Sequence, residues 1–156
     1  MILSAALLGA MLLAAAVFDL RARIIPNTLN IAIALLAPLA WWAQGLALWP
    51  DIALQIGVAA IIFALFIGLF AIGGIGGGDV KMIGALALWI DWRLMLDLLM
   101  IMALIGGVIA GGMLIYRKLR HITDTAEVPY GVAIALAGMW AVHQQYLNHF
   151  PVIPFI

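Results

Sequence analysis

Long apolar runs, broken by short polar stretches, set the pattern of the chain. The runs cover residues 2–19, 28–48, 52–72, 79–92, 94–116 and 129–147. A bilayer hydrocarbon core about 30 Å thick is crossed by about 20 apolar residues in a helix. The pattern therefore predicts an all-α membrane protein, a six-transmembrane-helix bundle, with residues 1–156 forming one membrane domain. The fourth run is short. At about 1.5 Å per residue, 79–92 reaches only about 21 Å. Such a segment must tilt little, be enclosed by its neighbours or face water, because irregular main chain at membrane depth survives only in protected places.

Composition agrees with this reading. Of 156 residues, 68% are hydrophobic and 9% charged, more apolar surface than a soluble domain of this length hides. Seven basic and seven acidic residues cancel, so net charge points to no nucleic-acid or acidic partner. With no cysteine, disulfides, thiolate catalysis and cysteine-type zinc sites are excluded. The opening "MILSAALLGAMLLAAAVFDLRAR" lacks the basic start of a secretory signal, and its first charge, Asp19, follows the apolar run. A retained first membrane helix is expected there.

Six helices put both termini on one side, and the basic residues test the arrangement. Arg21 and Arg23 follow helix 1, Lys81 opens helix 4, and Arg117, Lys118 and Arg120 follow helix 5. All six fall on one face, and Arg93 alone lies on the other. By the positive-inside rule the first face is cytoplasmic and both termini are outside. Trp41, Trp42, Trp49, Trp89 and Trp92 fall near the outer ends, where an interfacial aromatic belt belongs. In "RIIPNTLN", Pro26 ends one segment and Asn27 or Thr28 is placed to cap the next. Residues 117–128 form the longest polar loop.

Candidate chemistry rests on the acids. Asp51, Asp124 and Glu127 lie in loops, Asp91 lies beside Arg93, and Asp97 stands one helical turn after Arg93. These five read as structural. Asp19 and Asp79 differ, because each sits where an apolar helix meets the cytoplasmic boundary, and ionisable groups at membrane depth are costly. Two carboxylates held together share a proton. The ionised member then activates water while the other protonates a carbonyl or a leaving amine, which is the logic of aspartic peptide hydrolysis. A plainer reading stands beside it: Asp19 pairs with Arg21 or Arg23, and Asp79 complements the positive end of helix 4.

"GGIGGGDVKM" at 73–82 places the loosest backbone beside Asp79. Glycine-rich stretches are commonly flexible connectors. Alternatively, Gly76, Gly77 and Gly78 leave room for a substrate backbone held extended by strand addition. Lys81 has two readings, as a charge tuning Asp79 or as an ordinary positive-inside residue. Gly106, Gly107, Gly111 and Gly112 give the small-residue spacing of close helix packing. His121, His143 and His149 show no metal-ligand spacing, and no metal or cofactor is expected.

"GGGDVK" at 76–81 resembles the GxGD signature of intramembrane-type aspartyl proteases. More narrowly, "FDLRARIIPNTLN" at 18–30, "GIGGGDVKMIGALALW" at 74–89 and "VPYGVAIALAG" at 128–138 together resemble bacterial type IV prepilin peptidases. The resemblance implies Asp19 and Asp79 as the catalytic pair and a prepilin as substrate, its basic leader cut at the cytoplasmic face just before the apolar segment. It also implies a multi-pass protein of the bacterial cytoplasmic (inner) membrane. Longer members carry Cys-x-x-Cys motifs associated with N-methylation. Without cysteines, this chain is closer to the compact peptidases of Flp-type tight-adherence pilus systems. Two rivals to prepilin cleavage are a protease of signal-peptide remnants and a small proton-coupled transporter using Asp19 and Asp79 as a relay. A purely structural membrane subunit is a third.

Overall fold

The computed structural model describes residues 2–121 and 128–147. Asp124, Glu127, His149 and residues 122–127 of the expected polar loop lie outside the described residues. Helices form in all six expected places: α1 (Ile2–Ala22), α2 (Asn27–Gln44), α3 (Ala53–Ala71), α4 (Gly77–Leu86), α5 (Trp92–Arg120) and α6 (Tyr130–Val142). No strand occurs among the described residues. Among the described residues, three helical stretches are long and apolar enough to cross a membrane: Ile2–Ala22, Leu48–Ala71 and Trp92–Arg120.

Local chemistry explains where the ends differ from expectation. α2 stops at Gln44 rather than at 48, because Gly45 adopts the left-handed conformation (φ 70°) and its N–H returns to Trp41 and Trp42 carbonyls. At its start, Pro26 occupies the N-cap with no side-chain cap bond. Its carbonyl takes the N–H of Leu29 at 3.0 Å and of Asn30 at 3.3 Å. Neither Asn27 nor Thr28 is the cap, and Asn27 spends its Oδ1 on Lys81 instead. α5 runs on to Arg120, so Arg117, Lys118 and Arg120 belong to its last turn rather than to a loop. Cations there oppose the negative end of the helix dipole.

α4 and α6 form the interior. α4 packs against α2, α3 and α6, while α6 packs against α1, α4 and α5. Six of the ten α4 residues are buried, Val80 and Met82 through Leu86. The short fourth segment is thus enclosed by neighbours, one of the three solutions its length allowed.

Main-chain carbonyls buried just beyond the end of a helix need partners, and side chains from three other elements meet those of residues 87–90. Gln55 Nε2 of α3 donates to Ala87 O at 2.7 Å and also to Ile90 O. Trp41 Nε1 of α2 donates to Leu88 O at 2.8 Å, and Gln145 Nε2 donates to Trp89 O at 3.0 Å. Trp89 returns the favour, its Nε1 donating to Ile33 O at 2.7 Å. The aromatic-belt expectation therefore needs correction for two tryptophans. Trp41 and Trp89 are buried hydrogen-bond donors, whereas Trp42, Trp49 and Trp92 are exposed.

Candidate active site

Asp19 lies in the last turn of α1 and is buried, only 5% exposed. Its position is fixed from two sides. Along the chain, its carbonyl accepts the N–H of Arg23 at 2.9 Å, and Arg23 adopts the left-handed conformation (φ 54°) that ends the helix. Across the fold, its Oδ2 accepts the main-chain N–H of Val132 in the first turn of α6 at 3.0 Å. This approach requires glycine next door. A Cβ on Gly131 would stand 2.8 Å from Asp19 Cγ and Oδ2, and 2.7 Å from Ile25 Cδ1.

Asp79 lies in the first turn of α4. The glycine tract divides at Gly76, which is extended (φ −75°, ψ 145°) and serves as the N-cap, while Gly77 and Gly78 already belong to the helix. The Asp79 carboxylate folds back over the cap, its Oδ2 only 3.0 Å from where a Gly76 Cβ would stand. An acid at the third helical position reaches back to the N-cap in this way. The capping reading of Asp79 thus has geometric support alongside the catalytic one. Extended backbone suited to pairing with a substrate strand is available at Gly76, not at Gly77 or Gly78.

Asp19 and Asp79 line the same cavity, of about 730 Å³. Gly73 to Gly78 form one wall, and Arg23, Phe70 and Tyr130 complete its rim. The Arg23 charge bears on the Asp19 carboxylate. Between α4 and α6 sits Ile25, 5% exposed, whose Cβ is 3.6 Å from the Cβ position of Gly78 on one side. On the other it abuts Gly131, so one aliphatic side chain spaces α4 from α6.

Lys81 stands elsewhere. Its Nζ donates to Asn27 Oδ1 at 2.8 Å, and it lines a neighbouring groove rather than the cavity shared by the aspartates. Sequence reasoning did not single out Val132, Ile25 or Asn30. Val132 acts through its main chain, which no residue type announces. Ile25 is one more aliphatic residue in an apolar chain. Asn30 donates to Gly78 O at 3.3 Å and is 4% exposed; a polar residue one turn inside an otherwise apolar helix was its available signal.

Residues 6–111 match the type IV leader peptidase family. A prepilin leader peptidase/N-methyltransferase of Aeromonas hydrophila is 29% identical over 83 residues, a match covering 49% of this chain and 28% of that protein. One of Aeromonas salmonicida (strain A449) is 30% identical over 69 residues, covering 44% of this chain and 23% of the relative. The matched region is thus less than a third of either relative's length. No solved structure matches the chain.

Proposed function

Because the chain belongs to the type IV leader peptidase family, we propose that it is a membrane aspartyl endopeptidase that removes the leader of prepilins. The observation that carries this is the single cavity lined by both Asp19 and Asp79. One carboxylate takes a proton from water as that water adds to the scissile carbonyl. The other carries the proton that goes to the leaving amine. The tetrahedral intermediate then collapses with no bond to the protein. Val132 N–H holds Asp19 in place throughout, and the extended backbone at Gly76 lies where a substrate strand runs past Asp79.

In this reading the chain is a multi-pass protein of the bacterial cytoplasmic membrane, with the dyad cavity at the cytoplasmic face and both termini outside. The basic residues at the ends of α1 and α5 support that orientation. Its partners are a prepilin and the lipid bilayer. Co-expression with a prepilin tests the reading. Wild type converts the precursor to the shorter form, and Asp19→Asn and Asp79→Asn variants that accumulate normally leave it uncut. Full conversion by either variant rejects the dyad. A proton relay would instead give pH-gradient-driven flux in liposomes without peptide products.

A further inference from the structure

A second cavity, of about 580 Å³, opens between α2, α3 and α4 along the stripe of α4 that carries Lys81, Gly84 and Ala85, with Leu88 just beyond the helix end. Its length is apolar, with Ile31 and Ala34 from α2 facing Ala60 and Phe63 from α3. Polar groups gather at one end only, where Asn27, Asn30 and Lys81 meet. That end adjoins the dyad cavity, since Asn27 lines both.

The hydrogen bond from Lys81 Nζ to Asn27 Oδ1, 2.8 Å long, orients the amide. It leaves Asn27 Nδ2 and the remaining ammonium N–H groups as donors at the mouth. None of the residues lining this groove is acidic, so the mouth offers one positive charge and surplus donors above an apolar trough. Asn30 lines the same end with a buried amide, 4% exposed, whose Nδ2 is already given to Gly78 O.

Volume and charge together point to one occupant. A helix about 10 Å across fills 580 Å³ in roughly 7 Å, little more than one turn. A transmembrane helix is thus too wide to be enclosed by the groove, whereas a single acyl chain fits within it, and the positive, donor-rich mouth matches a lipid phosphate. We propose that this groove binds an anionic phospholipid. The phosphate sits on Lys81 and Asn27, and one acyl chain lies along Ala34, Ala60 and Leu88. Basic pockets between membrane helices recognise anionic headgroups in this way.

Native mass spectrometry of the purified full chain in detergent, titrated with dioleoyl phosphatidylglycerol and dioleoyl phosphatidylcholine, tests the site. One phosphatidylglycerol per chain is expected, preferred by about fivefold, the worth of one cation near a lipid headgroup. Lys81→Gln erases the preference and Lys81→Arg keeps it. Ala60→Trp, which fills the trough from an exposed position, removes tight binding of both lipids. Equal binding of the two lipids, an unchanged preference in Lys81→Gln, or full retention in Ala60→Trp would overturn the proposal. So would one-for-one displacement of the lipid by a synthetic apolar helix, which would assign the groove to substrate. No cleavage is measured, so the outcome is independent of the peptidase reading.

Discussion

The Oδ2 atom of Asp19 accepts a hydrogen bond from the main-chain N–H of Val132 at 3.0 Å, tying the last turn of α1 to the first turn of α6. The first N–H groups of a helix have no partner within it, so a carboxylate placed there satisfies one and is itself oriented. The tie makes α6 part of the candidate site although neither aspartate lies on it.

Gly131→Ala probes this tie. In a solvated helix, alanine for glycine stabilises by about 1 kcal/mol. Here the new methyl meets Asp19 and Ile25 at under 3 Å, so the carboxylate must move. A misplacement of about 1 Å is worth about a hundredfold in rate. Cleavage kinetics should show a loss of about that size, chiefly in kcat, and thermal unfolding in detergent should show no gain in stability.

Two further glycines should behave oppositely. At Gly76 an added Cβ stands 3.0 Å from Asp79 Oδ2, whereas at Gly107 nothing lies within 4 Å. Gly76→Ala is expected to slow cleavage about tenfold by pushing the carboxylate off its cap. Gly107→Ala should leave cleavage unchanged and raise stability by up to about 1 kcal/mol. Comparing the two in one cleavage assay and one melting assay checks both signs.

Gln55 meets two carbonyls beyond the end of α4. Replacing it by leucine keeps the volume but strands both acceptors in a buried setting, at about 1–3 kcal/mol each. Gln55→Leu should therefore lower stability by a few kcal/mol, read as a lower midpoint in detergent-based unfolding. Gln55→Glu, which has no amide donor, should not restore it.

Arg23 holds a left-handed φ of 54°, a conformation costing a non-glycine residue about 1 kcal/mol or more. Arg23→Gly should raise the unfolding midpoint modestly and slow cleavage, because the charge bearing on Asp19 is lost. Arg23→Lys should keep the rate and show no rise in the midpoint.

Much of the architecture was legible in hydropathy, because transfer to lipid depends on side-chain composition over about 20 residues. Helices appear at all six apolar runs, and the short fourth takes enclosure, one of the three solutions its length left open. Finer features escaped for a common reason: they depend on partners distant in sequence. Trp41 and Trp89 have the same side chain as the exposed Trp42, yet their indole N–H groups serve carbonyls 47 and 56 residues away. Lys81, two residues after Asp79 in sequence, points to Asn27 across the α2–α4 contact. The acids were visible as charges at helix ends; that α6 holds one of them was not.

The most direct test of the dyad is mass spectrometry of a purified prepilin incubated with the purified protein in its wild-type, Asp19→Asn and Asp79→Asn forms. One cut at the leader boundary is expected from wild type, with each variant slower by at least about a hundredfold while retaining its fold by circular dichroism. Processing by either folded variant at the wild-type rate, or no cut by wild type at that boundary, would contradict the account.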